Sequence, residues 1–291
     1  MRRVSVAVVL AATVTAMTVA GCDGPGSVAD PGPGLVVRGT PPATPYPGPL
    51  RLPAEKARDG SSQTPRAVSG AAGRALECDG DVFDGSGSED GWSASEGGAT
   101  PEEGLALYFD MAKPELPAYG YRVERRERGR VLYSFDVGGR TKVAVVVAED
   151  QPNRPGWGPE TSASCDPAEL PQSFTATTEW EIWTGRDGRR VPVTRLSSSP
   201  GPDHCGWASA RFLDLGGRIY ARDPEGVLAR DGLLAAPYRG RLRALPAEAY
   251  DTGYRYRDQR LWLTPGRATA YVRTPRGVEA WPRLKAGVNC Q

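Results

Sequence analysis

Large apolar residues alternate most clearly in the middle of the chain. They occupy every second position from Val131 to Phe135 and again from Val143 to Val147. Alternation with a period of two is typical of β-strands. The dipeptide Gly138-Gly139 lies between the two stretches and suits a two-residue turn. The pattern therefore predicts an antiparallel hairpin.

A helical period precedes this hairpin, from Thr100 to Ala112. Thr100 is a suitable N-cap, and a proline and two glutamates follow it in the first turn. Leu105, Tyr108 and Phe109 then fall on one helical face. The segment predicts a helix that ends before Pro114.

Strand patterns dominate the second half of the chain. The segment EWEIWTGRDGRRVPVTRL predicts a hairpin that turns at Asp187-Gly188. The segment GRIYARDPEGVL predicts another hairpin, which turns around Pro224 to Gly226. The segments RLWL, ATAYVR and VEAW predict a closing meander.

Two stretches of the chain are similar to each other. Each begins with a Gly-Tyr-Arg triplet, at Gly120 and at Gly253, and continues through two strands to a tryptophan and then a cysteine. Duplication and chance similarity both explain such a likeness. We predict an α+β fold of two tandem small units, at 75–172 and 173–291, each built on an antiparallel meander and each closed by one disulfide.

The chain begins with a segment typical of export. Arg2 and Arg3 precede an uncharged apolar run from Val4 to Ala20, which is marginal for a membrane span and normal for a signal peptide. A small Ala-Gly pair directly before Cys22 resembles the lipobox of bacterial lipoproteins. We predict a signal peptide at 1–22, diacylation of Cys22 and anchoring at the extracytoplasmic face of the cell membrane. Ordinary signal cleavage beside a chance cysteine is the alternative.

Residues 23–74 are rich in Gly, Pro, Ser and Ala and low in aromatic residues. Such a segment has too little apolar surface to offset the entropy of an ordered chain. We predict a disordered tether, with a proline-rich ligand for a partner domain as the alternative.

Four cysteines remain for the folded body, namely Cys78, Cys165, Cys205 and Cys290. An even number in an exported domain indicates disulfides, and three pairings exist. The internal similarity favours Cys78–Cys165 and Cys205–Cys290. These bonds would join the start of each unit to its end across 87 and 85 residues.

Charge restricts the expected partners. Removal of the two arginines in residues 1–22 leaves 34 basic and 35 acidic side chains, a net charge of −1. A balanced surface lacks the electrostatic footprint of nucleic-acid-binding proteins. We therefore expect the membrane as a partner, through the lipid on Cys22, together with an envelope protein or wall component, and no nucleic acid.

The only histidine, His204, is adjacent to Cys205, which raises the hypothesis of a catalytic Cys–His pair. A cysteine in a disulfide is not a nucleophile, and adjacent side chains of a strand point to opposite faces. A serine triad would need an activated serine, and the chain has no G-x-S-x-G motif. We predict no catalytic residue and interpret His204 as a turn residue.

An acidic loop carries the one candidate metal site. Asp79, Asp81 and Asp90 occupy positions 1, 3 and 12 of a calcium-loop register, whereas Phe83 and Asp84 depart from it at positions 5 and 6. The three aspartates are therefore a candidate metal site, and a solvated loop without a metal is the alternative. We expect no cofactor.

Two further residue types raise hypotheses about function. Asp110 with Glu115, or Glu179 with Glu181, would supply the carboxylate pair of a glycosidase, but the sequence does not set their separation. The seven tryptophans would suit a carbohydrate groove, although tryptophans spread through β-rich units are more often part of the core.

Several segments, among them VPVTRLSSSPGPDHCGW, DTGYRYRDQRLWL and RVLYSFDVGGRTKVAVVVAED, resemble a family of secreted lipoproteins of unknown function from Streptomyces and related actinobacteria. The similarity covers most of residues 78–290. It implies a surface-exposed lipoprotein and supplies no catalytic residue. The leading expectation is a non-enzymatic binding or structural module of the cell envelope. The alternative is an envelope hydrolase that acts on wall glycan or peptide.

Overall fold

The structure, a computed structural model, describes residues 36–37, 44–52, 64–87, 97–113, 116, 118–176 and 178–287. These residues belong to one compact unit, Gly34–Gln291. Strands account for 43% of the structure and helices for 16%. The fold is therefore mainly antiparallel sheet, and it matches the predicted α+β class only loosely.

The first sheet has six strands in the order β1-β3-β4-β5-β6-β2. The strands are β1 (Val36–Val37), β2 (Asp84–Gly87), β3 (Tyr119–Glu127), β4 (Arg130–Val137), β5 (Arg140–Gln151) and β6 (Arg154–Ser164). All neighbours are antiparallel except β1 and β3. The predicted hairpin at Gly138-Gly139 is confirmed, and both glycines have the positive φ that the turn requires.

Short helices cover both faces of the first sheet. They are α1 (Pro65–Val68), α2 (Gly70–Ala75), α3 (Pro101–Leu107) with a π-helical turn over Tyr108–Ala112, and α4 (Gln172–Thr175). The predicted helix is confirmed in α3, where the Thr100 side chain accepts a hydrogen bond from the Glu103 backbone N–H. A Cβ at Gly104 would lie 2.6 Å from Val147 Cγ1, so only glycine lets α3 pack this close to β5.

The structure differs from the predicted tether in residues 44–52 and 64–74. Leu50, Ala71 and Ala72 are buried against the first sheet, and the Tyr46 backbone N–H donates to Glu124 Oε1 over 2.7 Å. Small side chains in α2 let its backbone approach the sheet, so a segment poor in large apolar residues still packs. Residues 23–35, 38–43 and 53–63 of the predicted tether lie outside the described residues.

The second sheet has the order β10-β9-β8-β7, and the third sheet has the order β11-β15-β14-β13-β12. Their strands are β7 (Glu181–Ile182), β8 (Leu196–Pro200), β9 (Arg211–Leu215), β10 (Ile219–Arg222), β11 (Arg239–Leu242), β12 (Tyr250–Tyr256), β13 (Gln259–Leu263), β14 (Thr269–Thr274) and β15 (Gly277–Pro282). The predicted closing meander is confirmed in β13, β14 and β15. Trp183, Tyr220 and Trp281 belong to one core cluster that the two sheets share.

The hairpin predicted around Pro224 to Gly226 is wrong. The chain leaves β10 and enters one helical turn, α5 (Val227–Arg230), instead of a returning strand. Asp223 Oδ2 accepts a hydrogen bond from the Ala229 backbone N–H over 2.9 Å, and this contact closes the turn. The turn at Asp187-Gly188 is present, but Thr184 and Arg190 pair only as an isolated bridge.

The first and third sheets share one arrangement of five strands. In each sheet four consecutive strands form an antiparallel meander, β3 to β6 in the first sheet and β12 to β15 in the third. A strand that comes earlier in the chain pairs with the last strand of the meander, β2 with β6 and β11 with β15. The surroundings differ, because β1 extends the first sheet and a separate four-stranded sheet accompanies the third. The structure therefore does not show two whole duplicated units.

Candidate functional site

The predicted Cys78–Cys165 disulfide is present, with the two Cα atoms 5.3 Å apart. Cys205 lies in a short 3-10 turn, Asp203–Cys205, and is also disulfide-bonded. Its predicted partner Cys290 and the predicted lipidation site Cys22 lie outside the described residues. Because Cys205 is oxidised, it does not provide a thiolate nucleophile beside the exposed His204.

The candidate calcium ligands are not gathered among the described residues. Asp79 accepts a hydrogen bond from Arg140, which lowers the pKa of this carboxyl, and Asp81 is exposed. Asp90 lies outside the described residues. The Glu169 carboxylate lies near both sulfurs of the Cys78–Cys165 bond, but disulfide sulfurs are not the thiolates that bind metals.

Three of the four candidate carboxylates of a glycosidase pair lie among the described residues. Asp110 and Glu179 are exposed, and Glu115 lies outside the described residues. Glu181 lines a cavity, where it pairs with Arg211.

An aromatic groove lies on the second sheet. It is a cavity of about 270 Å³ lined by Trp180, Trp207, Phe212, Ile219, Leu284, Asp214 and the serines 197–199. The sheet has two different faces. Leu196, Leu213 and Tyr220 point into the buried core, whereas alternate residues of the same strands line the groove.

Both tryptophans of the aromatic groove are half-buried and held by another ring. Trp207 makes an edge contact with Phe212, with ring centroids 5.9 Å apart, and Trp180 makes one with Phe83 at 6.2 Å. Such contacts fix large aromatic surfaces beside a cavity. By contrast, Trp183 and Trp281 are fully buried in the core.

A polar pocket of about 480 Å³ lies between the β12–β13 and β14–β15 turns and the second sheet. It is lined by Glu181, Arg211, Arg222, Arg257, Arg276 and Glu279, together with Tyr256, Trp281 and neighbouring polar residues. Arg211 and Arg222 are direct partners on β9 and β10. Like charges in this position repel, and each arginine is neutralised by a different glutamate: Arg211 by Glu181 and Arg222 by Glu279.

Glu279 accepts three hydrogen bonds beside the polar pocket. Its Oε2 atom accepts from Arg222 Nε at 2.9 Å, from the Tyr238 hydroxyl at 3.0 Å and from Trp281 Nε1 at 2.9 Å. Burial and then the charge of Glu279 raise the pKa of Tyr238 to about 12. The carboxylate therefore joins side chains of β10, of β15 and of the segment before β11 around one atom.

Sequence reasoning did not single out Glu279. Its partners Arg222 and Tyr238 are 57 and 41 residues away along the chain, and no local motif links them. Trp180 and Trp207 were detectable only as tryptophans, and Glu181 only as a member of a candidate carboxylate pair. The groove and the polar pocket arise from strand pairing and not from spacing.

Comparison with protein-family models, with curated proteins and with solved structures finds no match for this chain. The resemblance to actinobacterial lipoproteins therefore stays a prediction. Within the part of the chain that the structure describes, no helix combines the length and apolar character that a membrane span requires.

Proposed function

We propose that this protein is a lipid-anchored, extracytoplasmic, non-enzymatic binding module of the cell envelope. The signal-like run Val4–Ala20 and the lipobox-like residues before Cys22 support the anchor. Metabolic labelling with a fatty-acid probe should mark the wild type and leave the Cys22→Ala variant unmarked. Equal labelling of both proteins would contradict a lipid anchor on this residue.

The aromatic groove is the observation that carries the binding role. Its two half-buried tryptophans offer flat apolar surface, and Asp214 with Ser199 offers polar atoms at the same cavity. Ligand sites commonly combine an apolar or aromatic lining with a few polar groups that fix orientation. A glycan has apolar ring faces and a rim of hydroxyl groups, so we propose a segment of wall glycan as the ligand.

Calorimetric titration of the purified protein with soluble wall-glycan fragments tests this role. Trp180→Ala and Trp207→Ala should each weaken binding by about tenfold or more, because each removes a large aromatic contact. Trp262→Ala is the matched control, since Trp262 lies on β13 and does not line the groove. Equal binding by all three variants would reject the groove as the glycan site.

The polar pocket favours a second candidate function, an envelope hydrolase. Glu181 and Glu279 line the same cavity, and paired carboxylates are the residues of glycoside hydrolysis. Each carboxylate is bonded to an arginine, however, which favours a structural role. Release of reducing ends from wall glycan by the wild type, but not by Glu279→Gln, would support the hydrolase. A wild type that releases none would exclude it.

A further inference from the structure

A third cavity, which we call the basic pocket, lies beside the second and third sheets. It has a volume of about 350 Å³ and is lined by Arg195, Arg218, Arg267, Tyr250 and Tyr254, with Leu215, Gly216, Thr252 and Leu263 completing the walls. No acidic side chain lines it. In this respect the basic pocket differs from the polar pocket, whose lining contains both arginines and glutamates.

The β9–β10 hairpin separates the basic pocket from the aromatic groove. Asp214 and Ile219 line the groove, whereas their neighbours Leu215 and Arg218 line the basic pocket. Successive strand residues point to opposite faces, so the hairpin serves two sites at once. The one acid of this hairpin, Asp214, therefore lies on the groove side and does not neutralise Arg218.

The three arginines of the basic pocket make no ion pair with any described carboxylate. Asp251, an acid close in sequence to the lining residues, bonds to Arg255. The buried Tyr220 shows how close the positive charges are to one another. Burial raises the pKa of Tyr220, while the charges of Arg218, Arg283 and Arg267 oppose that shift. Two of the three arginines of the basic pocket thus act on the same hydroxyl.

Contacts with the protein hold part of this cluster in place. The Arg195 guanidinium lies over the Tyr254 ring, 5.8 Å from its centroid, and the Arg195 carbonyl accepts from the Gly216 backbone N–H over 3.0 Å. A stacked guanidinium keeps its N–H groups available at the edge of the plane. Tyr250, which is 42% exposed, adds a hydroxyl at the mouth of the cavity.

We propose that the basic pocket binds a phosphate group, as a phosphate monoester or phosphodiester. Guanidinium forks match the oxygens of phosphate, and repulsion among the three arginines is relieved when an anion enters. At the membrane surface this chemistry is available from an anionic lipid headgroup or from a soluble phosphodiester. The site goes beyond the proposed glycan-binding role and does not depend on it.

Titration with inorganic phosphate and with glycerol phosphate at low ionic strength tests the site. Arg218→Gln/Arg267→Gln should weaken binding by about tenfold or more, because two of the three guanidiniums are lost. Arg239→Gln/Arg243→Gln is the matched control, since it removes the same charge from exposed positions outside the pocket. Equal weakening by both double variants, or by neither, would overturn the proposal. Binding that survives in Trp180→Ala separates this test from that of the aromatic groove.

Vesicles distinguish the two sources of phosphate. Binding of the full chain is measured to phosphatidylcholine vesicles with and without phosphatidylglycerol, in the presence and absence of soluble glycerol phosphate as competitor. The site is assigned to a lipid headgroup if glycerol phosphate competes with binding to the anionic vesicles and if Arg218→Gln/Arg267→Gln abolishes that binding. Binding of soluble glycerol phosphate without such vesicle binding assigns it to a soluble phosphodiester. Either result supports a phosphate site, and failure to bind both probes overturns it.

Discussion

Charged side chains of the first sheet form buried or half-buried ion pairs, whereas the three arginines of the basic pocket are left open. Arg130 donates two hydrogen bonds to Glu160, and the buried Lys142 donates one to Glu169 over 2.6 Å. The three arginines of the basic pocket have no such carboxylate among the described residues. Paired charges fix a structure, whereas unpaired cations beside a cavity are available to a ligand.

The first sheet is also more deeply buried than the second sheet. Every side chain from Val143 to Ala148 in β5 is fully buried, because helices or packed loops cover both faces of the first sheet. The second sheet buries Leu196 and Leu213 on one face and carries the aromatic groove on the other. A sheet covered on both sides leaves little room for a ligand, so the proposed binding sites lie beside the second sheet and not the first.

Removal of the Cys78–Cys165 disulfide should have the largest effect, and it tests whether the first sheet has only a structural role. The bond closes a loop across 87 residues, and in the chain-entropy model it stabilises the protein by about 4.5 kcal/mol. Cys78→Ala/Cys165→Ala should lower the free energy of unfolding by about that amount in urea denaturation. Glycan and phosphate binding should persist in the folded fraction. Loss of binding without loss of stability would mean that the first sheet belongs to the site.

Glu169→Gln tests the paired charges of the first sheet. Lys142 is 3% exposed, and its ammonium would lose its closest carboxylate. The buried ammonium would keep only the exposed Asp79 carboxylate, 3.6 Å away, so we expect a loss of about 3 kcal/mol in the free energy of unfolding.

Arg218→Gln is the control for this measurement, because it removes an exposed charge that no described carboxylate pairs with. Its effect on the free energy of unfolding should stay within about 0.5 kcal/mol. A large loss from Arg218→Gln would show that the basic pocket is held together by its arginines. It would then not be an open binding site.

Local patterns were sufficient for the elements that depend on neighbouring residues. The glycine turn between β4 and β5 and the Thr100 cap of α3 each follow from a few adjacent residues, and both were predictable. The Cys78–Cys165 pair was also predictable, because the internal similarity placed one of these cysteines at each end of the first unit.

Tertiary contacts explain what the sequence did not predict. Residues 44–52 and 64–74 resemble a tether in composition, yet Leu50 and the small residues of α2 pack on the first sheet. The helical turn α5 replaces a strand because the Asp223 side chain bonds to a backbone N–H six residues away. The polar and basic pockets likewise assemble from residues that are distant along the chain.

Two tyrosines give the finest comparison between the regions, since each hydroxyl donates to a glutamate. Tyr133 of the first sheet bonds to Glu102, and Tyr238 beside the polar pocket bonds to Glu279. Burial raises the pKa of both tyrosines, and the carboxylate charge raises it further, for Tyr238 to about 12. The stability that Tyr238 contributes is therefore complete below pH 10 and is lost as the pH rises towards 12.

Glu279→Gln should lower the pKa of Tyr238, because it removes the negative charge that favours the protonated hydroxyl. The pKa of Tyr133 should not change, since its carboxylate partner is Glu102. NMR titration of 13C-labelled tyrosine measures both, and Tyr238→Phe assigns the resonance. An unchanged Tyr238 pKa in Glu279→Gln would mean that burial alone sets it. The charges of the polar pocket would then be screened by solvent, and the contrast between paired and open charge would rest on the basic pocket alone.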